Sequence, residues 1–171
     1  DEVYTAPYFG FQSAADYYDR AYSHYLYYLR GGDQKYADRA AGIAVDYRTR
    51  YLEANGFASS PHWAQLEGIA LHYWMTGDQK SKTAVVETAK RTFAGFTVPQ
   101  VADSNFVYGD GRVEARALVA ALLAWKLGDT SRDWGAEADA RAAVMIKKQR
   151  ANGSYRMAIC QLNECPSGMI W

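Results

Sequence analysis

A chain of 171 residues, 49% hydrophobic and 15% aromatic, holds enough apolar surface for one buried core and reads as a single domain. Nineteen Lys and Arg balance nineteen Asp and Glu, so the charge points neither to nucleic acid nor to an anionic membrane surface. No uninterrupted apolar run approaches the roughly 20 residues that span a bilayer, and the start at Asp1 without an initiator Met is expected of a processed or excised product.

After an N-terminal segment, 1–12, the first predicted helix runs over 13–30. Ser13-x-x-Asp16 suits a capping box, and Tyr17, Tyr18, Tyr22, Tyr25 and Tyr28 form a stripe at helical spacing. A charged helix follows over 34–54, then a loop at 56–60. Ser60 and Pro61 are a cap and a first-turn proline for the third helix, 61–76, in which Trp63, Leu66, Ala70, Tyr73 and Trp74 align as core. The fourth helix, 79–95, is amphipathic. A long connection, 96–111, leads to the most apolar helix, 112–127, then to a charged one over 132–150 and a C-terminal loop, 153–171. The helices at 13–30, 61–76 and 112–127 are apolar on nearly all sides and are expected to be buried all round; those at 34–54, 79–95 and 132–150 carry a charged face for solvent.

One phrase recurs three times: YLRGGDQK at 28–35, YWMTGDQK at 73–80 and AWKLGDTS at 124–131. Gly32, Gly77 and Gly128 suit the left-handed residue that ends a helix, and Asp33, Asp78 and Asp129 are N-cap candidates for the next one. Such tight links make antiparallel hairpins, about 13–54, 61–95 and 112–150. Eleven residues beyond each aspartate stand Ala44, Ala89 and Ala140, suited to close helix packing. Forty-five residues separate Asp33 from Asp78 and 51 separate Asp78 from Asp129, longer than a tetratricopeptide unit. The predicted fold class is all-α: three consecutive helical hairpins with alternating inner and outer helices, an arc of an α/α toroid, with a HEAT-like solenoid as the alternative.

Thr76-Gly77-Asp78, with an outer helix ending in Gln149-Arg150-Ala151-Asn152-Gly153-Ser154-Tyr155, resembles the six-hairpin glycosidases and the related α/α-toroid polysaccharide lyases. The resemblance implies a ring of about six hairpins, of which this chain supplies three, so the other half is expected from further chain or from partner subunits. It also implies that the loops entering the inner helices line a substrate cleft. Loop length points to the same end, since the Gly-Asp turns are minimal and the opposite connections are long.

At that end His62 stands beside Trp63, and Glu67 lies in an otherwise apolar helix, where a lone carboxylate must be paired or act as an acid with a raised pKa. Asn105 to Glu114 combines aromatics, glycines and charges. There Asp110 is an acid candidate, Tyr108 would stack on a sugar, Arg112 would grip a uronate carboxylate, and Glu114 follows one turn on; helix capping and turn geometry account equally for Asp110, Gly109 and Gly111. Asp110 with Glu67 or Asp16 would supply the carboxylate pair of glycoside hydrolysis at about 5–9.5 Å. Asp110, Glu67 and His62 are thus the catalytic candidates, and Trp63, Tyr108, Arg112, Glu114 and Tyr155 the substrate-binding ones. Fourteen tyrosines could also supply sugar platforms or the base of a β-elimination.

Cys160 and Cys165 either close a short disulfide loop, which points to an extracellular or periplasmic setting, or stay reduced and buried. His24, His62 and His72 show no zinc spacing, and no phosphate, dinucleotide or serine-elbow motif is present, so no metal or cofactor is expected. The leading expectation is a glycoside hydrolase or polysaccharide lyase acting on a polysaccharide. The alternatives are a non-catalytic glycan- or protein-binding module and a structural subunit of an extracellular or viral assembly.

Overall fold

The computed structural model describes residues 18–59, 61, 63–93, 111–149 and 151–153. They form six α-helices and one π-helical segment: α1 (Arg20–Gly31), α2 (Gln34–Tyr47) running into the π-helical Arg48–Glu53, α3 (Glu67–Thr76), α4 (Gln79–Phe93), α5 (Gly111–Lys126) and α6 (Trp134–Lys148). The described residues contain no strand. Helices pair as three consecutive antiparallel hairpins, α1–α2, α3–α4 and α5–α6. The second hairpin packs on the first through α1, α2 and the π-helical segment, and on the third through α4 and α5.

The three Gly-Asp turns are where the repeat expects them. Gly32, Gly77 and Gly128 have φ of 71°, 76° and 75°, the left-handed conformation that glycine adopts without steric cost. Asp33 caps α2 through the Lys35 amide at 3.1 Å, and Asp78 caps α4 through the Lys80 amide at 3.2 Å. The third copy departs from the expectation, because four residues, 130–133, intervene before α6. Asp133 is the cap there, taking the Ala136 amide at 3.0 Å. Asp129 instead accepts the Trp134 indole N–H at 2.6 Å and the Ser131 hydroxyl at 2.5 Å, with the Lys90 ammonium of α4 at 3.3 Å.

Two helix starts also differ. Asp19 has an extended backbone and caps α1, so no single helix runs through 13–30; the expected capping box at Ser13 and Asp16 lies outside the described residues. The third helix begins at Glu67, six residues after Pro61. The intervening backbone is held out of helical geometry by side chains from elsewhere: the Tyr47 hydroxyl donates to the Trp63 carbonyl at 2.5 Å and accepts the Gln65 amide at 3.1 Å.

The core gathers Ile43, Leu52, Ile69, Val85, Phe93 and Trp134 around an alanine ridge, including Ala70, Ala84, Ala89, Ala120, Ala121 and Ala124, which lets the helices approach closely. Ala44 and Ala89 are fully buried as expected, whereas Ala140 is half-exposed and Ala138 takes the buried position on α6. The even helix α4 is amphipathic as read, with Lys80, Thr83 and Arg91 in water. The odd helices are not buried all round: Tyr22, Tyr27 and Leu29 on α1, Trp74 and Met75 on α3, and Leu122 and Trp125 on α5 are exposed. Part of the apolar surface of each odd helix therefore stays in water. No helix among the described residues is long and apolar enough to cross a membrane.

Candidate functional site

The end at which the odd helices begin brings three charged residues from three hairpins together. Asp19 Oδ1 accepts the Tyr22 amide at 2.8 Å, capping its own helix, while Oδ2 accepts the Gly68 amide at 2.7 Å. The second bond caps α3 from outside, since Leu66, at the cap position, has no side-chain acceptor to offer. The approach requires glycine. A Cβ on Gly68 would lie 2.6 Å from the Tyr22 nitrogen and 2.7 Å from the Ala21 Cβ, and would run into the Asp19 carboxylate.

Glu67, the first residue of α3, thereby stands next to the Asp19 carboxylate. Burial pushes the Asp19 pKa up to about 6; the two amide bonds pull it down, the Glu67 charge raises it, and Arg116 lowers it. Asp19 as a residue keeps an intermediate share of its surface in water, so its loss of hydration is partial and a value near 6 is the upper end of the effect. Arg116, in the second turn of α5, donates from Nη1 to the Ala64 carbonyl at 2.8 Å and to Gln65 Oε1 at 2.9 Å, which ties the third hairpin to the segment that enters α3.

Of the residues singled out from the sequence, Glu67 is in this group, half-buried. Trp63 is half-buried against the core, and its carbonyl is the one held by Tyr47. Glu114 is half-buried in the first turn of α5, and the backbone of Arg112 belongs to that turn. His62, Tyr108, Asp110, Tyr155, Cys160 and Cys165 lie outside the described residues, as does the Arg112 side chain. Asp19 and Arg116 were missed. Arg116 is one turn beyond Arg112 on the same helix, and Asp19 falls inside the helix expected over 13–30; nothing in the sequence joins it to Gly68, 49 positions away.

A second feature runs along the other end of the odd helices. Leu29, Trp74 and Trp125 each stand four residues before the turn aspartate of their hairpin, and each leaves about half its side chain in water: 56%, 48% and 52% exposed. The repeat therefore places a large apolar group at one register position on all three odd helices. Lys126 stacks its ammonium over the Trp125 ring at 4.8 Å. Among the described residues no group of His, Cys, Asp and Glu is arranged to hold a metal ion.

No protein-family model, no curated protein and no solved structure matches this chain.

Proposed function

We propose that this chain is a carbohydrate-active module, an arc of an α/α toroid that processes a polysaccharide at the end where α1, α3 and α5 begin. The observation that carries the reading is the convergence there of Asp19, Glu67 and Arg116, one charged residue from the start of each odd helix. Asp19 has the pKa range a general acid needs near neutral pH, because burial keeps its proton on to about pH 6. Each of its oxygens has two acceptor positions and gives one to an amide, so capping leaves a lone pair on each for proton transfer. Glu67 is the second carboxylate that glycoside hydrolysis or β-elimination calls for, and Arg116 supplies positive charge beside the pair. The chemistry fits the long-loop end, toward which the resemblance to six-hairpin glycosidases also points.

The test is a turnover screen over neutral and uronate polysaccharides with wild type, Asp19→Asn and Glu67→Gln, with thermal unfolding as the folding control. Loss of turnover in both folded variants supports the pair. Turnover by wild type that both variants match removes it. A second reading, a glycan- or subunit-binding module without catalysis, is favoured by the half-exposed Leu29, Trp74 and Trp125. Polysaccharide binding without turnover, abolished in Trp74→Ser with Trp125→Ser, would select that reading.

A further inference from the structure

The Gly-Asp end of the second hairpin holds a buried polar chain that joins it to the first. The Tyr25 hydroxyl of α1 lies 2.6 Å from His72 Nδ1 of α3, both side chains being buried. His72 Nε2 is 3.6 Å from Asp78 Oδ2 in the turn. That same oxygen accepts the Ser81 hydroxyl of α4 at 2.8 Å and is ion-paired with Arg48 Nη1. Arg48, itself buried, opens the π-helical segment, donates to Ser81 Oγ at 3.0 Å and has Glu53 Oε1 3.0 Å from its Nε. The groups facing the imidazole and its partners are thus Tyr25 from α1, Asp78 from the turn, Ser81 from α4, and Arg48 with Glu53 from the π-helical segment.

We infer that His72 is a pH-operated latch between the first two hairpins, holding α1 to α3 through Tyr25 while neutral and releasing that grip when it takes up a proton in mildly acid solution. The hydrogen-bond inventory carries the argument. A neutral imidazole has one bare nitrogen and one N–H. With Tyr25 donating to Nδ1, the remaining N–H is on Nε2, on the side of the Asp78 carboxylate 3.6 Å away, an electrostatic neighbour beyond hydrogen-bond distance. A protonated ring has two N–H groups and no acceptor. Tyr25 must then turn its hydroxyl to accept, and the phenolic hydrogen, in a side chain only 2% exposed, faces away from the atom it was bonded to. Asp78 attracts the imidazolium, but its Oδ2 is already shared by Arg48 and Ser81, and the Arg48 charge repels the new one.

The titration tendencies run the same way. Burial lowers the His72 pKa below 6.5, Asp78 works against that and Arg48 with it; burial pushes the Tyr25 pKa up to about 12, so the phenol keeps its proton throughout. For a histidine whose folded pKa is depressed, the unfolded chain binds the proton first as pH falls through 6.5. The latch is fully closed above that pH and weakens below it.

The experiment is a ¹⁵N-resolved titration of the His72 ring, with amide hydrogen exchange of α1 and α3 measured from pH 7.5 to 4.5, in wild type, Tyr25→Phe and His72→Gln. Asp19 acts on the same two helices with the opposite pH slope, and it is present in all three proteins. The expected result is a His72 midpoint below 6.5 in wild type, moved upward in Tyr25→Phe because the bond that favours the neutral ring is gone. Protection of α1 should fall by up to about tenfold per pH unit relative to His72→Gln, the slope of one linked proton. A His72 midpoint at or above 6.5, a midpoint unmoved in Tyr25→Phe, or identical pH profiles for wild type and His72→Gln would overturn the latch; if His72→Gln does not fold, the Tyr25→Phe midpoint alone decides.

Discussion

Replacing Gly68 by alanine should destabilise this protein, although the same change within a helix is ordinarily favourable. Gly68 is the second residue of α3, and helix propensity alone would make alanine better there by about 1 kcal/mol. The new methyl, however, would lie 2.6 Å from a backbone nitrogen and 2.7 Å from a Cβ of α1, in contact with the carboxylate that caps both helices. Backbone cannot yield as a long side chain does, so α1 and α3 must separate. Overpacking of this kind costs about 1–3 kcal/mol. Losing the charge-assisted bond from the Gly68 amide to Asp19 costs about 1.5–3 kcal/mol more. The net expectation is a loss of about 2–4 kcal/mol, or roughly 5–15 °C in Tm for a domain of this size. Gly42 is the internal control: it is exposed within α2, a Cβ there meets nothing within 4 Å, and Gly42→Ala should stabilise by about 0.5–1 kcal/mol. Thermal and urea unfolding followed by circular dichroism measure both. If Gly68→Ala equals or exceeds wild type in stability, the close approach of α1 and α3 and the shared Asp19 cap are wrong.

Four further outcomes follow from the same contacts. Asp19, with its folded pKa raised from 3.8 to about 6, binds its proton more tightly in the folded state, so its contribution to stability is greatest below pH 3.8 and declines as pH rises to 6; the urea midpoint of wild type should fall relative to that of Asp19→Asn across that range, the other titrating groups being common to both. Arg48→Met should cost about 3 kcal/mol, because it leaves the Asp78 carboxylate partly buried without its cation, and Arg48→Lys should recover little, since a single ammonium cannot reach Asp78, Ser81 and Glu53 together; chemical denaturation reads both. Asp129→Ala should destabilise more than Asp33→Ala in thermal melts, since Asp129 holds the Trp134 indole and Lys90 across two hairpins while the Asp33 carboxylate engages Lys35, two residues on in its own hairpin. Trp74→Ser and Trp125→Ser should each cost up to about 3 kcal/mol in thermal melts, the transfer term for the half of each indole that is buried, while weakening retention on polysaccharide affinity gels.

The hairpins were legible because their signals are local. A glycine at positive φ and an aspartate that caps the following amides need only a few residues of context, and Gly32, Asp33, Gly77 and Asp78 behave as that context dictates. Local reasoning failed where a distant group supplied the missing hydrogen bond. Ser60 and Pro61 suit a helix start, yet Tyr47 and Arg116 hold the backbone at 63–65 in another shape, and the helix waits for the Asp19 cap at Gly68. Asp129 looks like its counterparts, but an indole and a lysine ammonium engage its carboxylate before an amide can.

The candidate site was legible to the same degree. Loop length and the resemblance selected the end where the odd helices begin, and Glu67 was picked out as a carboxylate in an apolar helix. Its companions Asp19 and Arg116 were not, because the groups belong to three hairpins and meet only when those hairpins pack. The tyrosine stripe divided likewise: Tyr25 is in the core against His72, Tyr28 is half-buried, and Tyr18 and Tyr22 are exposed, an outcome set by which side of α1 meets α2 and α3.

Composition, periodicity and the Gly-Asp repeat by themselves determined that this chain is all-α and folds as three consecutive hairpins, since helix period, caps and turns are properties of neighbouring residues. Tertiary structure alone decided which apolar surfaces are covered, which aspartates cap and which clamp, and that burial beside Glu67 raises the Asp19 pKa. Burial and charge coupling depend on distances through space, and a carboxylate acquires them only when helices far apart in the chain close around it.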